Sequence, residues 1–317
     1  MPLRPIDLSA ALAKLSREHQ DRLGPIMLAS TFNGYFTAAQ VQALMNQYGY
    51  TLPQLMLYLL QFATAYAQPS ISGFSVGSVA LGLTGGLAYG ANLEFMGESL
   101  IYTVHAEQAA VVNAWVNGEQ GVTMLAVSAA PCGYCRQFLW ELVTAQQLQI
   151  LIPGQPVQPI SYYLPDPFGP GNLGVTAGLL APRFNNLVLD QPSTDPIVNA
   201  ALAAANLSYA PYTSEIKPNV GKCCYAGVAL QTSDGAIFTG AYGENAAYNP
   251  AIEPMEAALV QMVFCNHLSY PMTGAVLVQG HVAGQQGPNA LCDQENATRN
   301  VLATGTNVPL TVVYAHQ

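Results

Sequence analysis

The segment VGSVALGLTGGLAYGANLE at 76–94 returns as GVALQTSDGAIFTGAYGEN at 227–245. Gly240-Ala241-Tyr242 falls over Gly90-Ala91-Asn92, and Val228-Ala229-Leu230 over Val79-Ala80-Leu81, at an offset of about 150 residues. Self-similarity at this distance means one supersecondary unit built twice. In each copy two β-rich runs flank a glycine turn, Gly85-Gly86 in the first, which is a hairpin signal. A helical pattern precedes each hairpin, at 52–67 and at 197–212. After the first hairpin come a helix in HAEQAAVVNAW, a buried strand in VTMLAVSA and a further helix in CRQFLWELVTAQQ. Strands alternating with helices give an α/β class. The organisation read from this pattern is a helical lead over 1–48, a first module over 49–153, a Pro-, Gly- and Asn-rich connector over 154–192, and a second module over 193–317. Within the lead, helices are expected at 7–22 and 37–48, the latter capped by Thr37.

Composition narrows the function. The 317 residues include 9 Lys+Arg against 18 Asp+Glu, a net charge of -9. So few cations cannot neutralise many phosphates, which argues against a nucleic-acid binder. A hydrophobic content of 51% excludes acidic disorder. From Leu23 to Leu93 there is no charged residue, yet the apolar runs inside are too short or too glycine-rich to span a bilayer. Charges scattered through the first 30 residues do not form a signal peptide, so the expectation is a soluble cytoplasmic protein. The Gly-rich hairpin lacks the Gly-Lys-Ser/Thr ending of a phosphate loop.

The chemistry concentrates in His105-Ala106-Glu107 and in Pro131-Cys132-Gly133-Tyr134-Cys135. Two cysteines at i and i+3 on the first turn of a helix point the same way, and the unpaired N–H groups there favour thiolates. His105 can add an imidazole nitrogen. Three protein ligands leave a fourth tetrahedral position for water, the mark of a catalytic rather than a structural zinc. Glu107 can sit beside that water without ligating the metal and act as general acid and base. A lone C-x-x-C is often a structural zinc half-site or a redox pair. H-x-E followed by P-C-x-x-C, however, is the signature of zinc-dependent nucleobase deaminases.

Together, TVHAEQAA, PCGYCRQF, FSVG, GANLEF, LPDPFGP and GENAAYNP resemble the large dimeric class of cytidine deaminases, over nearly the whole chain. The resemblance implies a duplicated α/β/α layered sandwich with a small N-terminal helical segment and an inactive second module. It implies one Zn²⁺ per chain, held by His105, Cys132 and Cys135, with Glu107 as proton shuttle. Phe74 would pack on the pyrimidine, Asn92 and Glu94 would hold the ribose hydroxyls, and Ala106 would line the substrate. Phe168 and Tyr248 would contact substrate across a homodimer, each second module closing the partner's site. The implied reaction is hydrolytic deamination of cytidine and 2'-deoxycytidine to uridine and 2'-deoxyuridine with release of ammonia, in pyrimidine salvage. The partner is a small nucleoside, with no nucleic acid and no membrane. The rival readings are a deaminase of another base or of a polynucleotide, and an inactive nucleoside-binding zinc protein.

The second module departs from the pattern. Pro254 is expected opposite His105 and Glu256 opposite Glu107, with no C-x-x-C pair. Arg136 is expected either to hydrogen-bond a ligand thiolate or to lie on a helix surface. Cys223, Cys224, Cys265 and Cys292 read as structural thiols, and His19, His267, His281 and His316 show no ligand spacing.

Overall fold

The computed structural model describes residues 3–13, 15–214, 224–281 and 293–317, so Cys223 and Cys292 lie outside the described residues. The lead opens with α1 (Leu8–Leu12) and α2 (Arg17–Met27), splitting the helix expected over 7–22. Ser16 restarts the chain by accepting from His19 N, a local cap that competes with helix continuation. Next comes a strand the sequence pattern does not reveal, β1 (Tyr35–Phe36), too short to show a period. α3 (Ala38–Tyr48) starts, as expected, on a capping box of Thr37 with Gln40.

The first module contains α4 (Leu52–Thr64), β2 (Gly77–Gly82), β3 (Leu87–Ala91), α5 (Ala106–Val116), β4 (Val122–Val127), α6 (Gly133–Trp140) and β5 (Gln149–Leu151). The hairpin turns at Gly85, whose φ of 90° only glycine adopts freely. The connector is largely irregular but contributes β6 (Gln158–Pro159), α7 (Ile160–Tyr163) and β7 (Val188–Leu189). The second module follows with α8 (Pro196–Leu207), α9 (Pro211–Ser214), β8 (Ala226–Thr232), β9 (Ile237–Ala241), α10 (Pro254–Phe264), β10 (Met272–Gly280), α11 (Gln294–Gly305) and β11 (Leu310–His316).

Two mixed sheets result, ordered β1-β3-β2-β4-β5-β6 and β7-β11-β10-β8-β9. Four strands of each repeat the same order, β3-β2-β4-β5 and β9-β8-β10-β11, and in each the last pair is parallel, β4 with β5 and β10 with β11. A parallel pair needs a crossover, which α6 and α11 supply. The duplicated α/β architecture expected from the repeat is therefore the fold. α5 packs on β3 and α10 on β9, and these two helices also pack on each other. Covered on both sides, α5 is buried from Ala106 to Ala114.

Glycine fixes the register between copies. A Cβ on Gly90 would meet Ala106 O and Ala110 N, and one on Gly240 would meet Pro254 O and Ala258 N. Ala106 therefore matches Pro254, and the residue standing at the place of His105 is Glu253, not Pro254. Both are helix N-caps. Glu256 matches Gln108 rather than Glu107, whose counterpart is Met255. The sequence comparison slipped by one because the strand-to-helix loop is two residues shorter in the second copy. Likewise Val228 lies over Ser78 rather than Val79, since they pair with Gly240 and Gly90.

The helix expected through Gln147 stops at Trp140 because Glu141 is engaged elsewhere. Its fully buried carboxylate accepts from Tyr209 Oη at 2.6 Å, from Tyr212 Oη and from Ala246 N at 2.9 Å. All three donors belong to the second module, so the end of the cysteine-bearing helix is anchored across the module boundary. Burial pushes the Glu141 carboxyl above its ordinary range, and the tyrosine bonds partly oppose that.

Candidate active site

His105 caps α5 in extended backbone, with its N–H donating to Gln108 Oε1 at 3.0 Å and its ring stacked on Tyr134 at 5.3 Å. Cys132 caps α6, its Sγ accepting from Cys135 N at 3.5 Å. Two helix N-termini thus face each other across three ligand-capable atoms. Cys132 Sγ lies 3.6 Å from Cys135 Sγ and 3.7 Å from His105 Nδ1. On a tetrahedral zinc with bonds of about 2.3 Å to sulfur and 2.0–2.1 Å to nitrogen, those separations are about 3.8 and 3.6 Å. Both separations fit the ion within a few tenths of an ångström, and all three ligand atoms lie within 4.8 Å of one another.

The protonation states agree. Hydrogen bonds from Cys135 and His105 pull the Cys132 thiol down to about 3, and the bond to Cys132 raises His105. The same contact and burial push Cys135 up. The trio shares protons that a dication replaces on binding. Glu107, 4% exposed on the first turn of α5, is held above the usual carboxylate range by burial, against the bond from Cys135.

A cavity of about 300 Å³ holds His105, Ala106, Glu107 and Cys132 together with Phe74, Asn92 and Glu94. The sequence-predicted base and sugar residues are thus brought to the metal group. A larger apolar cavity bounded by Met255, Leu259 and Val301 is lined by no carboxylate, imidazole or thiol.

Within the site the roles sharpen. Phe74 stands at the rim, 61% exposed, its ring free to meet a flat ligand. Asn92 donates to Phe74 O at 3.0 Å and to Glu94 Oε1 at 3.2 Å, and accepts from Val76 N at 2.8 Å. Its donors are committed, which leaves acceptor capacity on Oδ1 for a hydroxyl. Glu94 Oε2 accepts from Ile71 N and Ser72 N at 2.7 and 2.8 Å, and Oε1 from Ser72 Oγ at 2.6 Å. The carboxylate is therefore already engaged by protein donors, with Ser72 Oγ the side-chain hydroxyl among them. Burial raises Glu94, but the bonds from Ser72 and Ile71 outweigh it and leave the group below its ordinary range.

Glu244 repeats this clamp in the second module. It accepts from Tyr212 N at 2.8 Å, Thr213 N at 3.3 Å and Thr213 Oγ1. Burial pushes Glu244 up to about 7. Pinning a turn to a strand end is thus something this glutamate does in both copies, with or without a metal group nearby. The motif comparison could have found it, since Glu94 and Glu244 align in GANLE and GAYGE.

Phe168 and Tyr248 do not line this cavity within one chain. They are 47% and 57% exposed, and Tyr248 holds a left-handed backbone with φ of 62°, costly for a side chain with a Cβ. Arg136 takes neither expected role: it donates to Pro131 O at 2.8 Å and Tyr163 O at 2.9 Å, bracing the turn that carries Cys132. Cys265 is a free thiol as expected, whereas Cys224 is disulfide-bonded.

Comparison with known proteins agrees with the geometry. Residues 53–150 and 160–287 each match the cytidine and deoxycytidylate deaminase zinc-binding region. A cytidine deaminase of Shewanella sediminis is 42% identical over 268 residues, covering 84% of this chain and 86% of its own. That of Shewanella amazonensis is 44% identical over 266 residues, with 84% and 86% covered. That of Vibrio vulnificus is 40% identical over 271 residues, with 86% and 88% covered. With a thiolate–imidazole trio at zinc spacing, a buried glutamate beside it and relatives this similar over most of its length, the chain belongs to the zinc-dependent cytidine deaminases.

Proposed function

We propose that the chain hydrolyses cytidine and 2'-deoxycytidine to the corresponding uridines and ammonia, with residues 49–153 as the catalytic module and 193–317 as its inactive copy. The observation carrying this is one cavity that joins His105, Cys132 and the buried Glu107 to Phe74, Asn92 and Glu94. His105, Cys132 and Cys135 would hold the zinc ion, which would supply the Lewis acidity that makes water a nucleophile near neutral pH. Glu107 removes a proton from the attacking water, delivers it to N3 as C4 becomes tetrahedral, and carries the second proton to the departing amine. Its raised affinity for a proton suits both directions of transfer. Phe74 covers the flat base, and Asn92 and Glu94 meet the sugar hydroxyls from the opposite end. Ala106, 1% exposed, forms the cavity floor.

A homodimer completes the site in this reading. Phe168 and Tyr248 project exposed aromatic surface, and in a two-fold assembly each second module would cover the partner's cavity. Cytoplasmic pyrimidine salvage is the proposed setting.

The test follows ammonia release from cytidine, from 2'-deoxycytidine and from a single-stranded oligonucleotide, with and without a zinc chelator. Turnover of both nucleosides, lost on chelation, is expected. No turnover by zinc-replete protein, or turnover of the oligonucleotide alone, overturns the proposal. Sedimentation of active enzyme as a monomer overturns the shared site.

A further inference from the structure

His281 and His316 are far apart in sequence, and their spacing there carries no ligand pattern. The second sheet brings them together. β10 and β11 run parallel, and His281 N, one residue past β10, donates to Ala315 O at 2.8 Å. β7 lies antiparallel on the other side of β11, pairing Leu189 with Ala315 and Val188 with His316. Asp190, the next residue, donates its N–H to Tyr314 O at 3.1 Å. Neighbouring strand ends thus deliver two imidazoles and a carboxylate to one point, where a ligand atom from each lies within 4.8 Å of the others. His281 Nε2 is 2.6 Å from Asp190 Oδ2, and His316 Nδ1 is 2.7 Å from Asp190 Oδ1.

We propose that Asp190, His281 and His316 form a second divalent-metal site, suited to a borderline ion such as Zn²⁺, Co²⁺ or Ni²⁺ rather than Mg²⁺ or Ca²⁺. Two imidazole nitrogens set that preference, since hard cations take oxygen ligands. With both histidines neutral the group carries one negative charge, and its ion-pair partners among the described residues are those two imidazoles. Side-chain exposure is 5% for His281, a fixed anchor, and 35% and 37% for Asp190 and His316, which gives a hydrated ion access.

His281 Nδ1 is buried without a hydrogen-bond partner among the described residues. No bond there selects a tautomer, so Nε2 can either donate its proton to Asp190 or present a lone pair to a metal. Around a tetrahedral ion with bonds of about 2.0–2.1 Å, such ligand atoms sit about 3.3 Å apart. The two nitrogen–oxygen pairs must therefore part by about 0.6–0.7 Å, a movement open to the two partly exposed side chains. A metal-independent His–Asp–His bridge is the competing use of the same atoms, and the two exclude each other because each needs the nitrogens facing Asp190 in a different state.

The test loads the enzyme with Zn²⁺ at about pH 8, because metal binding competes with protons for the ligands, removes loose ions by gel filtration and counts metal by mass spectrometry. Two ions per chain are expected in the wild type and one in Asp190→Asn and in His316→Gln, with cytidine turnover unchanged in both. Co²⁺ added to wild type loaded with a single equivalent of Zn²⁺ should give visible bands without thiolate charge-transfer absorption. A wild type retaining one ion, or a second ion that survives in both variants, overturns the proposal. The ion kept by the variants reports on the first site in the same sample, so failure here is distinguishable from failure of the deaminase assignment.

Discussion

Gly90→Ala and Gly240→Ala form a matched pair, because the two modules share one helix-on-strand contact and, among the described residues, only the first sets it beside the His105–Cys132–Cys135 trio. A Cβ at Gly90 would stand 2.7 Å from Ala110 Cβ and nearer still to Ala106 O and Ala110 N. At Gly240 it would stand 2.8 Å from Ala257 C, nearer to Pro254 O and Ala258 N. Carbon contacts settle at about 3.5–4.0 Å, so each helix must retreat by roughly 1 Å. Overpacking of this kind costs about 1–3 kcal/mol, or more where nothing yields. At about 2–4 °C per kcal/mol for units of 150–250 residues, both variants should melt several degrees below wild type. Their chemistry should diverge. Retreat of α5 carries His105 and Glu107 with it, and a displacement near 1 Å at reacting groups costs about 10²-fold. Retreat of α10 moves Glu253 and Met255, which occupy those places without a metal group. Thermal melts with kcat and KM at a temperature where both variants are folded provide the assay. Equal losses of kcat, or a Gly90→Ala enzyme of full activity, would refute the reasoning that this glycine sets the catalytic distance.

Glu107→Gln keeps the shape of the site but cannot relay protons, so kcat should fall about 10²- to 10⁴-fold with zinc content unchanged; metal analysis beside steady-state kinetics checks it. Glu256 is held well above the usual carboxylate range, first by burial and then by the charge of Glu253, and its Oε1 has no partner. A carboxyl whose folded pKa is raised loses its stabilising contribution as pH climbs from the unfolded value of about 4.3 through the folded one. Glu256→Gln, which installs the residue the first module carries at Gln108, should therefore raise Tm at pH 8 and bring little gain near pH 4, read by melts across pH. Glu94, depressed in the folded state, behaves oppositely: its contribution should be present above the unfolded pKa and lost as pH falls through the lower folded one. Glu94→Gln should accordingly narrow its stability deficit in acid, and an unchanged deficit across that range would refute the assignment.

The repeat and the zinc signature were legible because each rests on side chains that recur at fixed places: Gly90 with Gly240, His105 with Cys132 and Cys135. What escaped was decided by tertiary partners. β1 has two residues, and only the edge of β3 makes it a strand. α6 ends early because Glu141 turns into a neighbouring module that no local pattern announces. Glu253 was missed opposite His105 because a shortened loop hides in aligned letters and becomes visible only when two helices sit on two glycines. His281, His316 and Asp190 meet through strand pairing, so neither spacing nor composition could bring them together.

Glu141 also bears on how such a chain can change over time. A copy that has lost its chemistry would be dispensable if it were merely appended. Here it supplies every side-chain and backbone donor to a carboxylate with no exposure, at the end of the helix that begins with Cys132. Losing the second module would remove those three donors together, and a hydrogen bond to a charged group is worth about 1.5–3 kcal/mol net. Replacing Glu141 first would leave Tyr209 and Tyr212 without their acceptor. Neither half can change alone without a cost in stability, so the two copies are coupled by a contact that lies apart from the metal-ligand trio.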